Sequence, residues 1–454
     1  MALRSLSAVY WVTLIIHLLI AASGKGFSIK LIPRSSIDTT LFPRNLSLEE
    51  HHSRIAQLSR ARALQYKYSM NSTLMEKTEQ GIETLRPWIV MAWTSLYMAQ
   101  MFIGSEAYTT YLLVDTGSDD TWIQADGCTI CFPLLGGNFN YHESKTYHAV
   151  SCDHPLCVPK ICHEGLCLYE SAYIGGSSTR GIVSADNFTF PANGGFASFQ
   201  NVVFGCGFDN RNIVFGGNIG PNNVIAGIFG LGSGRRSILR QLGPVTNQRF
   251  SYCLPSWTTA QGTYTYLRFG PDAQIRGDAQ RIVQTTPMLP GIPRYYVNML
   301  GISIDAVRLP IDPTVFKLND DGTGGFVLDS GSGQSFLVPG AYNVVKGEMV
   351  KNLQRYGWNP IEGEQVPYDI CYKVISAVNH TALPSMTFHF MGAELVVDSK
   401  AVFQVFDDMF CMAILPIYQQ GPNILGAFQQ ANHRFLFDVR ASTMSFVQET
   451  CQSN

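Results

Sequence analysis

Two aspartates stand where an apolar run breaks into a turn of small residues. In "YLLVDTGSDDTWIQ" (111–124) Asp115 follows four apolar or aromatic residues and precedes Thr116-Gly117-Ser118, and in "GGFVLDSGSGQSF" (324–336) Asp329 has the same setting. One such turn is unremarkable, because many strands end in an Asp-Gly turn. Two carboxylates at hydrogen-bonding range are a different matter. They cannot both ionise cheaply, so they share a proton and titrate as a coupled pair. The ionised member can take a proton from a water held between them while the protonated member donates to a scissile carbonyl oxygen. The tetrahedral diol then collapses as the nitrogen is protonated, with no covalent intermediate, and the chemistry suits acidic pH. Gly117 and Gly331 would permit the tight turn beneath each acid. Ser118 and Ser332 would hydrogen-bond the outer carboxylate oxygens and fix their orientation. The rival reading is a pair of structural turns capped by Asp.

That rival weakens because the setting of each acid repeats in order. "AGIFGLG" (226–232) follows Asp115 and "NILGAF" (423–428) follows Asp329, with Ile228 and Ile424 lying 113 and 95 residues beyond their acids. An apolar-apolar-Gly segment would be a strand crossing close behind the acid turn, where glycine permits backbone approach. Two equivalent halves related by an approximate two-fold axis would bring Asp115 and Asp329 to their shared boundary. From about residue 88 the chain reads as short β-branched and aromatic runs separated by Gly, Asn and Pro turns. Helical patterns are few, the clearest at 237–243 and 341–357. The fold expected is mostly β.

Charged residues make up 15% of the 454, with 41 glycines and a net charge of -2. This disfavours coiled coil and charged disorder, and nothing points to nucleic acid. Residues 1–24 combine an early Arg, an apolar run and a small-residue exit, the pattern of a cleaved secretory signal. A signal anchor is the alternative, but the run from 9 to 22 is short for a membrane span. The first 86 residues hold 11 of the 32 Lys/Arg and 6 of the 34 Asp/Glu, leaving 21 basic and 28 acidic side chains beyond them. A detachable basic propeptide at 25–86, lying over an acidic body, is expected; a permanent accessory helix is the alternative. The 11 cysteines all lie beyond residue 127, and in a secreted chain they form a disulfide framework. A zinc cluster around "CTIC" and "CDHPLCVPKICHEGLC" is the rival. Asn45, Asn71, Asn187 and Asn379 are candidate glycosylation sites. The loop "NDDGTGG" (319–325) lacks calcium-loop spacing, so no metal or cofactor is expected. His433 and Arg434 read as surface residues.

These stretches resemble the pepsin-type aspartic proteases, and within them the plant nepenthesin-like, atypical branch that includes the disease-resistance type. The resemblance covers nearly the whole chain. It runs through "FSIKLIPRS", "DTGSDDTWIQ", the Cys-rich insert, "NVVFGCG", "GIFGLG", "RFSYCLP" and "LRFG", then "YYVNMLGISI", "GGFVLDSGSG", "MTFHFMGAEL" and "ILGAFQQANHRFLFDV". It implies a bilobal pepsin-like fold, with an N-terminal lobe at 87–285, a C-terminal lobe at 286–454 and a cleft between them. It implies Asp115 and Asp329 as the catalytic dyad, Ser118 and Ser332 as supports, and Tyr173 as the flap tyrosine with Trp122 packed behind it; Tyr169 is a nearby competitor. The family's Gly-Asp-Gly-Ser after that tyrosine is replaced by Ile174-Gly175-Gly176-Ser177, which bears on substrate preference. The family's usual Cys at the position of Ala125 is missing, which nominates Cys128 as a free thiol. The family-like disulfides would be Cys131–Cys206, Cys152–Cys167, Cys157–Cys162, Cys253–Cys451 and Cys371–Cys411.

The expected function is that of a secreted acid endopeptidase made as a zymogen, a monomer whose partners are peptide or protein substrates and its own propeptide. It would have no stable membrane association and would reside in the apoplast, with the vacuole or another secretory compartment as alternatives. The competing expectation is a catalytically silent pepsin-fold binding or inhibitor protein; such proteins typically break the dyad, and here both Asp-x-Gly-Ser sequences are intact.

Overall fold

The computed structural model describes residues 27–33, 96–173, 177–192, 195–213, 215, 223–256, 265–275, 282–362, 366, 368–374, 383–406, 408–417 and 421–451. The expected signal peptide, propeptide residues 34–86, Asn45, Asn71, Asn379 and the flap-tip residues Ile174, Gly175 and Gly176 lie outside them. The architecture is mostly β and bilobal.

Each acid ends a strand, and the repeated apolar-apolar-Gly segment runs beside it as predicted. Tyr108–Asp115 pairs in parallel with Ile225–Gly230, placing Asp115 opposite Gly230. Phe326–Asp329 pairs in parallel with Asn423–Gly426, placing Asp329 opposite Gly426. On the far side the same two strands meet antiparallel partners, Trp122–Gln124 and Ser335–Leu337, with Ile228 opposite Trp122 and Ile424 opposite Phe336. Glycine is required at these crossings. A Cβ at Gly230 would sit 2.6 Å from the Asp119 carbonyl carbon, and one at Gly426 would meet the backbone of Gln334. The four residues of Phe326–Asp329 and of Asn423–Gly426 are all buried, as befits parallel strands covered on both faces.

A long sheet ties the halves together. Arg249–Cys253, from the first half, pairs with His433–Asp438 near the C-terminus, which pairs with Thr443–Gln448 and through it with Gln284–Pro287. Phe250 stacks on Phe437 at 4.8 Å between ring centroids, and Tyr295 packs on Phe437 at 4.6 Å, so one aromatic core spans both halves. The strand Phe27–Pro33, the first part of the expected propeptide, occupies an interior place in this sheet. It pairs with Thr265–Phe269 on one edge and Tyr97–Ile103 on the other. The principal helix, Pro339–Gln354, begins two residues before the apolar pattern because Pro339 suits a first helical turn. It buries Ala341, Tyr342, Val345, Met349 and Leu353 along one stripe. The shorter helical pattern at 237–243 becomes two four-residue turns, Ile238–Gln241, capped by Ser237, and Gly243–Thr246.

Three disulfide expectations are corrected. Cys128 pairs with Cys131, Cys152 with Cys162 and Cys157 with Cys167, while Cys206 is the free thiol. Burial explains the sorting. Cys206 is fully buried in Gly195–Arg211, where it faces Ile123 and Ile182, whereas Cys131 is exposed. The two therefore do not meet, and Cys131 closes a short turn on Cys128. Cys157 and Cys167 are both buried, while Cys162 lies exposed on the strand opposite Cys167. Cys253–Cys451 and Cys371–Cys411 pair as the resemblance implies. His433, expected at the surface, is 6% exposed; Arg434 beside it forks onto Glu449 at 2.6 and 2.7 Å.

Candidate active site

The two acid turns are built from the same bonds. Gly117 N–H donates to Asp115 Oδ1 at 2.7 Å and Gly331 N–H to Asp329 Oδ1 at 2.9 Å. Ser118 Oγ donates to Asp115 Oδ2 and Ser332 Oγ to Asp329 Oδ2, at 2.5 and 2.7 Å. Each carboxylate is thus held by one backbone N–H and one hydroxyl, which fixes its plane. Behind them, Leu231 N–H donates to the Asp115 carbonyl and Gly232 N–H to that of Ser118, both at 2.8 Å. Ala427 N–H donates to the Ser332 carbonyl, also at 2.8 Å.

Residues that sequence reasoning passed over lock the turns to each other. Thr116 Oγ1 accepts from Ser330 N–H at 2.9 Å and donates to the Leu328 carbonyl at 3.3 Å. Reciprocally, Ser330 Oγ accepts from Thr116 N–H at 3.2 Å and donates to the Val114 carbonyl at 3.1 Å. Four bonds therefore cross the boundary between halves, related by the approximate two-fold axis. A second matched pair lies further along: Gly230 N–H donates to Thr121 Oγ1 at 3.2 Å and Gly426 N–H to Ser335 Oγ at 3.0 Å. Aligning the two stretches on their acids would have found all four residues, since Thr or Ser recurs one and six positions after each Asp. Both aspartates are 0% exposed, while Gly117 and Ser118 line a cleft of about 1330 Å³.

The symmetry breaks at the next two positions. Asp119 and Asp120 stand where the second turn has Gly333 and Gln334. Asp119 Oδ1 accepts from Gly234 N–H at 2.7 Å. Burial pushes its carboxyl up to about 6; Arg294, the Gly234 N–H and Arg236 pull it back, and Asp120 raises it further. Asp120 forms a two-pronged pair with Arg236 at 2.8 and 2.5 Å, the two side chains 19% and 10% exposed. The cleft lining carries Arg235, Arg236, Arg240 and Arg294 against Asp119, Asp120 and Glu170. The acidic excess of the body as a whole is therefore not concentrated in this lining.

Tyr173, expected as the flap tyrosine, ends the strand Leu166–Tyr173 and lines the cleft. Trp122 Nε1 donates to its hydroxyl at 2.5 Å, with ring centroids 6.2 Å apart. Tyr169 is instead a core residue. It is 2% exposed and bonded to Thr179, and its ring lies so close to Gly205 that a Cβ there would approach within 2.5 Å. Asn187 is partly buried at a β-bulge between Asp186 and Phe188. Among the described residues no cluster of three His, Cys, Asp or Glu side chains is placed to hold a metal.

Comparison with known proteins agrees with this geometry. Residues 97–270 match the family described as xylanase inhibitor N-terminal, and residues 294–448 the one described as xylanase inhibitor C-terminal. The chain is 30% identical over 376 residues to aspartic proteinase nepenthesin-1 of Nepenthes gracilis, covering 82% of this chain and 80% of that protein. It is 30% identical over 373 residues to aspartyl protease family protein 2 of Arabidopsis thaliana, covering 78% and 71%. Among solved structures, edgp superposes with a TM-score of 0.63 at 16% identity, covering 78% of this chain and 91% of that one. Basic 7S globulin from soybean superposes with a TM-score of 0.62 at 18% identity, covering 78% and 92%. With its paired acid turns, crossing glycine strands and matched relatives, the chain belongs to the plant nepenthesin-like family of pepsin-type aspartic proteases.

Proposed function

We propose that the protein is a secreted acid endopeptidase in which Asp115 and Asp329 act as one proton-sharing dyad on a water molecule. The observation that carries this reading is the reciprocal Thr116–Ser330 bonding, which sets two identically supported carboxylates at the boundary between the halves. An extended peptide would lie along the cleft, with the flap hairpin closing over it. The Trp122–Tyr173 bond would hold the flap strand in register with the Asp115 turn. The strand Phe27–Pro33 supports the zymogen reading, because an N-terminal segment that completes the central sheet can be retained through folding and lost afterwards.

A second reading has specific support. The matched families are described as halves of a xylanase inhibitor, and both aspartates are fully buried. On that reading the fold binds another protein and hydrolyses nothing. Incubation of full-length protein with an unfolded protein substrate from pH 3 to 7 separates the two. The endopeptidase reading expects cleavage that peaks in acid and is blocked by a peptide bearing a statine-type hydroxyl in place of the scissile carbonyl. Correctly folded protein, freed of residues 25–86, that cuts nothing across this range would sink it.

A further inference from the structure

The wall of the cleft rising from the Asp115 turn is cationic and only partly compensated. Arg235 and Arg240 are exposed on the segment after Gly234, line the cleft, and make no ion pair among the described residues. Arg240 Nε donates to the Ser233 carbonyl at 3.0 Å, which aims the group without neutralising it. Between them Arg236 spends Nε and Nη2 on Asp120, but its Nη1 is buried with no hydrogen-bond partner, and the residue is only 9% exposed. Arg294 reaches the same turn from the other side, Nε donating to the Gly117 carbonyl at 3.3 Å. The carboxylates of this lining are committed elsewhere: Asp120 to Arg236, and Glu170 to Arg180 at 2.6 Å. Asp119 is mostly uncharged below about pH 6, with Arg294, Asp120, Arg236 and Tyr295 around it.

We propose that Arg235 and Arg240 form a specificity subsite for an acidic side chain of the bound peptide. The proposal rests on the peptidase reading for its substrate class, though not for its binding. Guanidinium groups stay charged at every relevant pH, whereas a peptide glutamate titrates near about 4.3. Discrimination between glutamate and glutamine should therefore appear between pH 3 and 5.5 and owe nothing to titration of the wall arginines. Exposed pairs of this kind contribute little individually, so two acting together should give a preference of about five-fold.

The test uses full-length protein preincubated in acid and a peptide series in which Glu, Gln or Lys is placed in turn at each of the positions flanking the scissile bond. At one position Glu should be cleaved about five-fold better than Gln at pH 5.5, with a ratio near one at pH 3. In the Arg235→Ser, Arg240→Ser double variant the Glu/Gln ratio at that position should fall to near one, whatever its rate on the Gln peptide. A flat Glu/Gln ratio at every position, or a preference that survives the double variant, overturns the subsite. Fluorescence anisotropy of labelled Glu and Gln peptides keeps the two claims apart. Tighter Glu binding without cleavage retains the subsite and rejects the peptidase, while equal binding rejects the subsite.

Discussion

Replacing Thr116 by valine keeps the shape of the side chain and removes one hydroxyl from the boundary between the halves. That hydroxyl accepts from Ser330 N–H at 2.9 Å and donates to the Leu328 carbonyl at 3.3 Å, and Leu328 and Ser330 are 0% and 1% exposed. Water cannot readily replace the lost acceptor, so the Ser330 N–H is left unsatisfied at a cost of about 1–3 kcal/mol. The longer bond to Leu328 adds a fraction of that, giving a destabilisation of roughly 1.5–3.5 kcal/mol. Urea titration at pH 5 would measure it as a midpoint shift at unchanged slope. Thr116→Ser keeps the hydroxyl and should recover most of the loss. Ser330→Ala removes the other two bonds. The two changes delete different bonds, but each loosens the turn that the other's bonds are anchored on, so the double variant should fall short of additivity by about 1 kcal/mol or more. Activity should fall through kcat with KM nearly unchanged, because the hydroxyls orient the acid turns and do not touch the peptide. A Thr116→Val protein within about 0.5 kcal/mol of wild type, or a strictly additive double variant, would refute the claim that this reciprocal bonding holds the halves in register.

Three further outcomes follow from other parts of the site. Asp119 has its folded carboxyl pushed up to about 6 from 3.8, so the native state binds the proton more tightly than the unfolded chain. Its contribution favours folding fully below the unfolded value and is lost as pH rises through the folded one, an effect of at most about 3 kcal/mol. Thermal midpoints from pH 3.5 to 7 should therefore fall less steeply for Asp119→Asn than for wild type; parallel curves would contradict the assignment. Arg236→Ala strands the largely buried Asp120 carboxylate and should cost roughly 2–4 kcal/mol in the same urea titration, against less than about 0.5 for the exposed Arg235→Ala. Finally, a thiol-specific label should ignore the native protein and, after unfolding without reductant, modify Cys206 alone; peptide mapping that finds the label on Cys128 would overturn the pairing.

The acids, their glycines, their serines and the crossing apolar-apolar-Gly strands were legible because each is a local pattern that the chain states twice. The Thr116–Ser330 bonds were equally written into the sequence, yet their meaning depends on knowing that the two turns face each other, which no single stretch declares. Cysteine pairing was not legible: spacings of five residues allow several closures, and what decides among them is which side of a strand each cysteine faces. The charge of the cleft was not legible for a related reason. The acidic excess belongs to residues 87–454 as a whole, whereas the wall beside Asp115 gathers arginines from 235–240 and 294, brought together only by the fold. Asp120 and Arg236 are 116 residues apart in sequence. His433 looked exposed beside its strand and is buried because the pairing of His433–Asp438 between two neighbours covers it.

The central claim is that Asp115 and Asp329 work as a unit. Its most direct measurement is kcat/KM at the acidic optimum for Asp115→Asn, Asp329→Asn and the double variant, each checked for native folding. If the two carboxylates share one proton and one water, each single change should remove activity by about three orders of magnitude or more, and the double variant should be no worse than either. Substantial activity in one single variant, or losses that multiply in the double, would mean that the carboxylates act independently and that the dyad account is wrong.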